Sequence, residues 1–321
     1  MKRIVSIFLM ILTLASLFMI PAVSFAETTY IHPSFEKACD TIRYYILQWK
    51  KDPGYVNPHN FDYDFCFYVK YRTTHVNTET LKDEMIREVF KYTGDYYKGD
   101  GLYCFIRQLY MEEHVEKVNE GYIVTLDISG NYDVSRSQIQ QINKWVENNA
   151  LWLATKKYGT GSSEYGKALW IYKWIINNCK EDNVNRPKTS SHNAYAAKYG
   201  VAVCDGFAHL YYMMAVRNGL NCRMISRYYN SGGGHCWCVV QINSKWYFVD
   251  PMKGSLTSSG MKKFFLAGTR YYDSSSRPYD KNEIADTYCG WQLEDRYVVA
   301  TGAANTSWMP SLIKIEKNNY K

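Results

Sequence analysis

Beyond residue 26, this chain of 321 residues has no apolar run long enough to cross a bilayer, which takes about 20 residues as a helix. It also has no run of clustered lysines and arginines. A nucleic-acid-binding face needs basic side chains gathered on one surface, so no nucleic-acid partner is expected. No internal repeat and no low-complexity linker interrupt the chain, so it reads as packed domains throughout. No cysteine follows Ala26 directly, so nothing suggests a lipid-anchored form.

The one long apolar stretch stands at the start. Lys2 and Arg3 form a basic region, Ile4 to Ile20 an apolar one, and Ser24-Phe25-Ala26 a small-x-small cleavage site. This is the layout of a secretory signal peptide over residues 1–26, with an uncleaved membrane anchor as the rival reading. Cleavage leaves 295 of the 321 residues. The expected location is secreted, extracellular or cell-surface associated, with no stable membrane insertion once the signal is removed. Without Lys2 and Arg3 the basic residues fall from 38 to 36 against 31 acids, a spread-out net charge of about +5. That is an ordinary solvated surface, or one weakly drawn to anionic cell-surface polymers. Hydrophobic residues make up 46% of the chain and include 30 tyrosines, enough to bury substantial cores, and the length suits two domains or one large one.

Cysteine is not scarce. Nine is an odd number for an exported chain: Cys39, Cys66, Cys104, Cys179, Cys204, Cys222, Cys236, Cys238 and Cys289. One thiol is left over for another purpose, whether the other eight pair as disulfides or pack as small buried hydrophobes.

Residues 27–135 read as a mixed α/β region of unknown function. Ser34 can cap a helix with Phe35, Ala38, Ile42, Tyr45 and Trp49 on one stripe, stopped by Asp52-Pro53-Gly54. "FDYDFCFYVKYR" has strand composition, and Thr80 to Tyr92 is a second amphipathic helix. "GLYCFIRQLY" and "GYIVTLDISG" read as two further strands, with "MEEHVEKVNE" as their connection. Ser137, with Gln140 three residues on, fits a capping box that opens a helix carrying Ile139, Ile142, Trp145 and Leu153. A second helix carries Leu169, Tyr172, Ile175, Ile176 and Cys179. The change of pattern near residue 135 makes it the natural joint before a region spanning 136–321.

Chemistry concentrates further on. Cys204 opens a helix running to Asn218, with Gly219 just past its end. A thiol at a helix N-terminus faces unpaired N–H groups and the positive end of the dipole, both of which favour thiolate. A structural or disulfide role is the bland alternative. Three strands follow, at 222–229, 235–242 and 245–250, with Asn243-Ser244 as a tight turn between the last two. A two-residue turn pairs Ile242 with Lys245, which puts Asp250 opposite Trp237 and diagonal to His235 on the same face. Diagonal neighbours are about 7–8 Å apart, within reach of an imidazole–carboxylate hydrogen bond. The same alternation argues against a metal at His235-Cys236-Trp237-Cys238. The two cysteines point away from the histidine, so no metal is expected there.

The blocks "YGVAVCDGFAHLYYMMAVRNGLNCRMISRYY", "GGGHCWCVV" and "KWYFVDPM" resemble the core of the transglutaminase-like superfamily, a papain-like thiol-enzyme fold, over about residues 160–270. The resemblance implies an α+β fold in which a helix with an N-terminal cysteine packs on an antiparallel sheet carrying histidine and aspartate. Carried over residue by residue, the nucleophile falls on Cys204, the base on His235 and the orienting acid on Asp250. It implies no cofactor, and a protein or peptide substrate, cell-wall associated in one reading. The family often has Ala-Trp-Asn after the histidine and Thr two residues after the aspartate. Here Cys236-Trp237-Cys238 and Met252 stand instead, which leaves substrate preference open. The expected activity is acyl chemistry on amide bonds through a thioester, with hydrolysis favoured over glutamine cross-linking. A non-catalytic binding module is the alternative. His192 and Trp174 are pocket or structural residues, and His209 is read as structural. Gly232-Gly233-Gly234 reads as a flap or a turn. Met213, Met214 and Tyr211 read as core. The tail reads as a strand, a loop and a short helix at Asn282–Tyr288.

Overall fold

The computed structural model describes residues 30–57, 61–153, 163–183, 189–228, 234–255 and 263–268, with Glu316, Asn318 and Tyr320. The signal segment, Gly232, Gly233, and the helix expected at Asn282–Tyr288 lie outside the described residues.

A short strand β1 (Ile31–His32) precedes helix α1 (Phe35–Gln48), whose Ser34 side chain accepts a hydrogen bond from the Lys37 N–H. Strand β2 (Phe65–Thr73) alternates buried and half-buried residues, as a strand covered on one face must. Helix α2 (Leu81–Val89) and the short α3 (Asp100–Tyr103) lead into a long hairpin, β3 (Ile106–Val118) and β4 (Gly121–Tyr132). The four strands form one sheet in the order β1-β2-β4-β3, with β1 parallel to β2 and the other pairs antiparallel. Phe67, Val69 and Tyr71 on β2 and Val124, Leu126 and Ile128 on β4 fill its inner face. Ala38, Cys39, Ile42 and Ile46 of α1 are buried in the same core.

Two sequence expectations are corrected here. "MEEHVEKVNE" is no mere connection: β3 runs through it to Val118, which pairs with Gly121 across Asn119-Glu120. Ladder pairing with β4 carries these charged residues in a strand that their composition alone disfavours. The capping box is also not at Ser137. Ser135 caps helix α4 (Arg136–Trp152): its side chain accepts from the Gln138 N–H at 3.3 Å, and Gln138 Oε1 accepts from the Ser135 N–H at 2.9 Å. Ser135 has the extended backbone that a cap requires, while Ser137 already sits inside the first turn.

Helix α5 (Glu164–Asn178) follows, capped by Ser163, then β5 (Lys180–Glu181), a 3-10 turn (Thr189–His192), α6 (Ala194–Lys198) and β6 (Val201–Ala202), which pairs parallel with β5. Helix α7 (Cys204–Arg217) is the central element. Every residue from Gly206 to Val216 is buried, so it is apolar almost all round, the pattern of a helix enclosed by its neighbours. It ends where expected: Asn218 is the cap, and Gly219 takes a φ of 77°, a left-handed conformation that glycine adopts without steric cost. Met213, Met214 and Tyr211 are wholly buried core residues.

A three-stranded antiparallel sheet completes the described fold: β7 (Cys222–Tyr228), β8 (Gly234–Ile242) and β9 (Lys245–Val249), in that order, followed by the short helix α8 (Pro251–Ser255). Asn243 and Ser244 both have positive φ (51° and 63°), the two-residue turn whose twist suits a hairpin. Ile242 pairs with Lys245 and Cys238 with Val249, the register expected from the sequence. One face of this sheet lies on the main core. The other carries a small cluster of Ile225, Trp237, Val239, Phe248 and Ala267.

The main core is continuous from Ala38 to Leu266 and links the two halves of the chain through α7. The Tyr212 hydroxyl donates to Asp100 Oδ1, and Arg217 makes two hydrogen bonds to Glu147 of α4 at 2.8 and 2.7 Å.

Candidate active site

The site forms where α7 begins and β8 and β9 meet α8. Val203, the residue before Cys204, has extended backbone and offers no capping side chain. The head of α7 therefore presents its first N–H groups beside a part-buried sulfur. The preceding loop is tied down by the Val203 N–H, which donates to the Ser191 carbonyl at 3.0 Å.

His235 is the second residue of β8, and Asp250 follows directly on β9. His235 Nε2 donates to Asp250 Oδ2 at 2.6 Å. Both side chains are buried, Asp250 completely. The other carboxylate oxygen, Oδ1, accepts from the Lys253 N–H at 3.0 Å in the first turn of α8. The backbone of Asp250 is pinned as well. Its N–H donates to the Phe264 carbonyl, and its carbonyl accepts from the Gly254 N–H and, at 3.5 Å, from the Tyr172 hydroxyl. Trp237 lies nearly parallel to the His235 ring, 5.4 Å away between centroids at 19°, and restricts its tilt.

Nε2 is committed to Asp250, and the Cys204 side chain lies close enough to the ring to favour its proton. Burial alone would strip the proton from this imidazole. The Asp250 charge, its hydrogen bond and the Cys204 contact outweigh that, and the ring is pushed up to about 9. Asp250 responds in the opposite sense. Burial works against its charge, but the adjoining His235 and the Lys253 N–H hold the carboxyl below the usual range. Of the three residues named from the sequence, His235 and Asp250 share a hydrogen bond, and Cys204 opens the helix beside them.

Cys236 and Cys238 face the other way. Both are buried, Cys238 Sγ donates to the Ala208 carbonyl of α7 at 3.2 Å, and burial pushes both thiols well up. Trp174 packs against Trp145, with ring centroids 5.1 Å apart, in a structural position between α4 and α5. His209 is fully buried inside α7. Its Nδ1 accepts from the Ala194 N–H, and burial pushes the ring down to about 3, so it is a neutral structural group.

His192 is placed more tellingly than its sequence context suggests. Its Nδ1 lies 2.7 Å from Oδ2 of Asp205, the residue after Cys204, and that hydrogen bond raises the ring against the effect of burial. Asp133 lies within electrostatic reach of both, with burial pushing its carboxyl up to about 6. Asp205 and Asp133 were not singled out from the sequence. The only signal was the acid in "CDG", since their partners stand 13 or more positions away.

Residues 151–251 match the family model described as the transglutaminase-like superfamily. Among curated proteins no significant match is found. Solved structures similar to this chain include a candidate cysteine protease from Cytophaga hutchinsonii, at 19% identity and a TM-score of 0.27, covering 46% of this chain and 66% of that one. A TGase is similar at 14% identity and a TM-score of 0.30, covering 66% of this chain and 57% of that one. A candidate protease from Parabacteroides distasonis ATCC 8503 is similar at 10% identity and a TM-score of 0.22, covering 57% and 39%. The matches thus span less than two thirds of each of these three chains. The stretch matched by the transglutaminase-like superfamily model, residues 151–251, holds the cysteine helix, the histidine strand and the aspartate turn.

Proposed function

We propose that this protein is an exported thiol enzyme that acts on protein or peptide amide bonds, with Cys204 as nucleophile, His235 as proton carrier and Asp250 as the group that orients it. The observation that supports this best is the held imidazole: Asp250 binds one ring nitrogen, and the Cys204 side chain is near enough to favour the ring's proton. Cys204 gives its proton to His235, forming a thiolate–imidazolium pair, and the sulfur attacks the amide carbonyl. As the C–N bond breaks, His235 returns the proton to the departing amine and leaves a thioester on Cys204. N–H groups at the uncapped head of α7 are suited to the developing oxyanion. The thioester then passes its acyl group to water, which releases a carboxylic acid and regenerates the thiol. Transfer to an amine instead gives a cross-link. We favour hydrolysis.

Export rests on the N-terminal layout, and the proposed substrate is an extracellular or cell-wall-associated protein or peptide. Two assays test the reading. Iodoacetamide at pH 6 should alkylate Cys204 faster than a free thiol, and His235→Ala should slow that reaction. Uniform labelling of several cysteines, unaffected by the histidine change, would reject the assignment. Incubation with a labelled primary amine and a glutamine-containing protein should then yield new N-termini, or free ammonia with glutamate, but little incorporated label. Dominant label incorporation would make the activity transfer.

A further inference from the structure

A second cluster of chemistry-bearing side chains stands on the outer face of the four-stranded sheet. Glu112 and His114 lie two residues apart on β3 and therefore on one face, and both are exposed. Asp127 on β4 is the direct cross-strand partner of Glu112 and is 7% exposed. One carboxylate oxygen from each acid and one imidazole nitrogen lie within 4.8 Å of one another. The neighbouring residues Met111 and Ile128 point inward to the core, so the strand pleat holds all three donors outward.

Two like charges directly opposed across a ladder destabilise it. The cost is greater here because Asp127 is nearly buried. Lys70 of β2 stands diagonal to Asp127 on this face. The Tyr55 hydroxyl hydrogen-bonds Asp127 and so orients its carboxylate, as outer partners do at metal centres.

We propose that Glu112, His114 and Asp127 form a binding site for a divalent transition-metal cation of the zinc type. One imidazole nitrogen and two carboxylate oxygens are a mixed donor set that suits such a cation. Calcium, which takes six to eight oxygens, is poorly served by two acids and a histidine. Three protein donors leave at least one coordination position open to solvent, where water or an external ligand binds. The cation also offsets the repulsion between the opposed acids, so binding stiffens the middle of the β3–β4 hairpin.

The test uses Co2+ as a spectroscopic probe on the full mature chain. Its visible bands report binding, while a sulfur-to-cobalt band in the near ultraviolet reports any site made from thiolates. The expected result is one Co2+ per chain with no thiolate band, displaced by Zn2+. Glu112→Gln and His114→Ala should each weaken binding roughly 10-fold or more. Both positions are exposed, and unchanged circular dichroism would show that the fold persists. Wild-type affinity in either variant, or binding that always carries the thiolate band, would overturn the proposal.

Discussion

Replacing Asp250 with asparagine should abolish a pH-dependent part of this protein's stability. In the folded protein His235 is pushed up to about 9 from its ordinary value of 6.5. At 1.36 kcal/mol per pKa unit, that difference is worth roughly 3 kcal/mol of preference for the imidazolium. The folded-state pKa is the raised one. The contribution is therefore fully present below pH 6.5 and is lost as the pH rises through about 9. Cys204 supplies a smaller share, and burial opposes both. Without the carboxylate, burial dominates, and the ring should titrate below its ordinary value.

Urea unfolding of wild type and Asp250→Asn at several pH values between 6 and 9.5 measures the effect. The variant should be less stable near pH 6, and the gap should shrink by up to about 3 kcal/mol toward pH 9.5. Taking the difference between the two proteins removes the losses they share. The buried thiols of Cys104, Cys236 and Cys238 are pushed well up, so their burial weakens the fold at alkaline pH in both. A gap that stays constant, or widens with pH, would refute the coupling between His235 and Asp250.

Two further substitutions probe how the site is held. Ser135→Ala should cost about 1 kcal/mol by removing the capping box of α4, while Ser137→Ala should be nearly neutral; paired thermal melts decide between the two serines. A methyl group at Gly206, two residues on from the nucleophile, would stand 2.6 Å from the Ser191 carbonyl oxygen and 2.8 Å from Ala202 Cβ. Gly206→Ala should therefore destabilise by about 1–3 kcal/mol and slow alkylation of Cys204; an unchanged melt with unchanged labelling would show that the loop yields freely.

Much of the site was legible because its distances are local. His235 and Asp250 lie on the two arms of one hairpin, and the two-residue turn Asn243-Ser244 leaves a single register. In that register the residues are diagonal neighbours on one face, so the sequence implied their hydrogen bond before any coordinates. Cys204 was legible for another reason: an apolar helix starting at a cysteine, with Gly219 beyond its end, marks both helix limits. Local chemistry misled where a better-placed neighbour existed. Ser137 and Ser135 offer similar caps, and only the backbone angles at Ser135 choose between them. The acidic stretch of β3 looked like a loop because its ladder partner is not visible in its own composition.

From the sequence alone came the cysteine helix, the hairpin with its histidine–aspartate register, and the resemblance between residues 160–270 and a thiol-enzyme family. The helix and the hairpin follow from periodicity and turn chemistry; the resemblance rests on the three motif blocks themselves. Tertiary packing alone set the head of the cysteine helix near the histidine strand, placed His192 against Asp205, and gathered Glu112, His114 and Asp127 on one sheet face. Those contacts join separate elements, and their geometry depends on how α7 and the two sheets pack around one shared core.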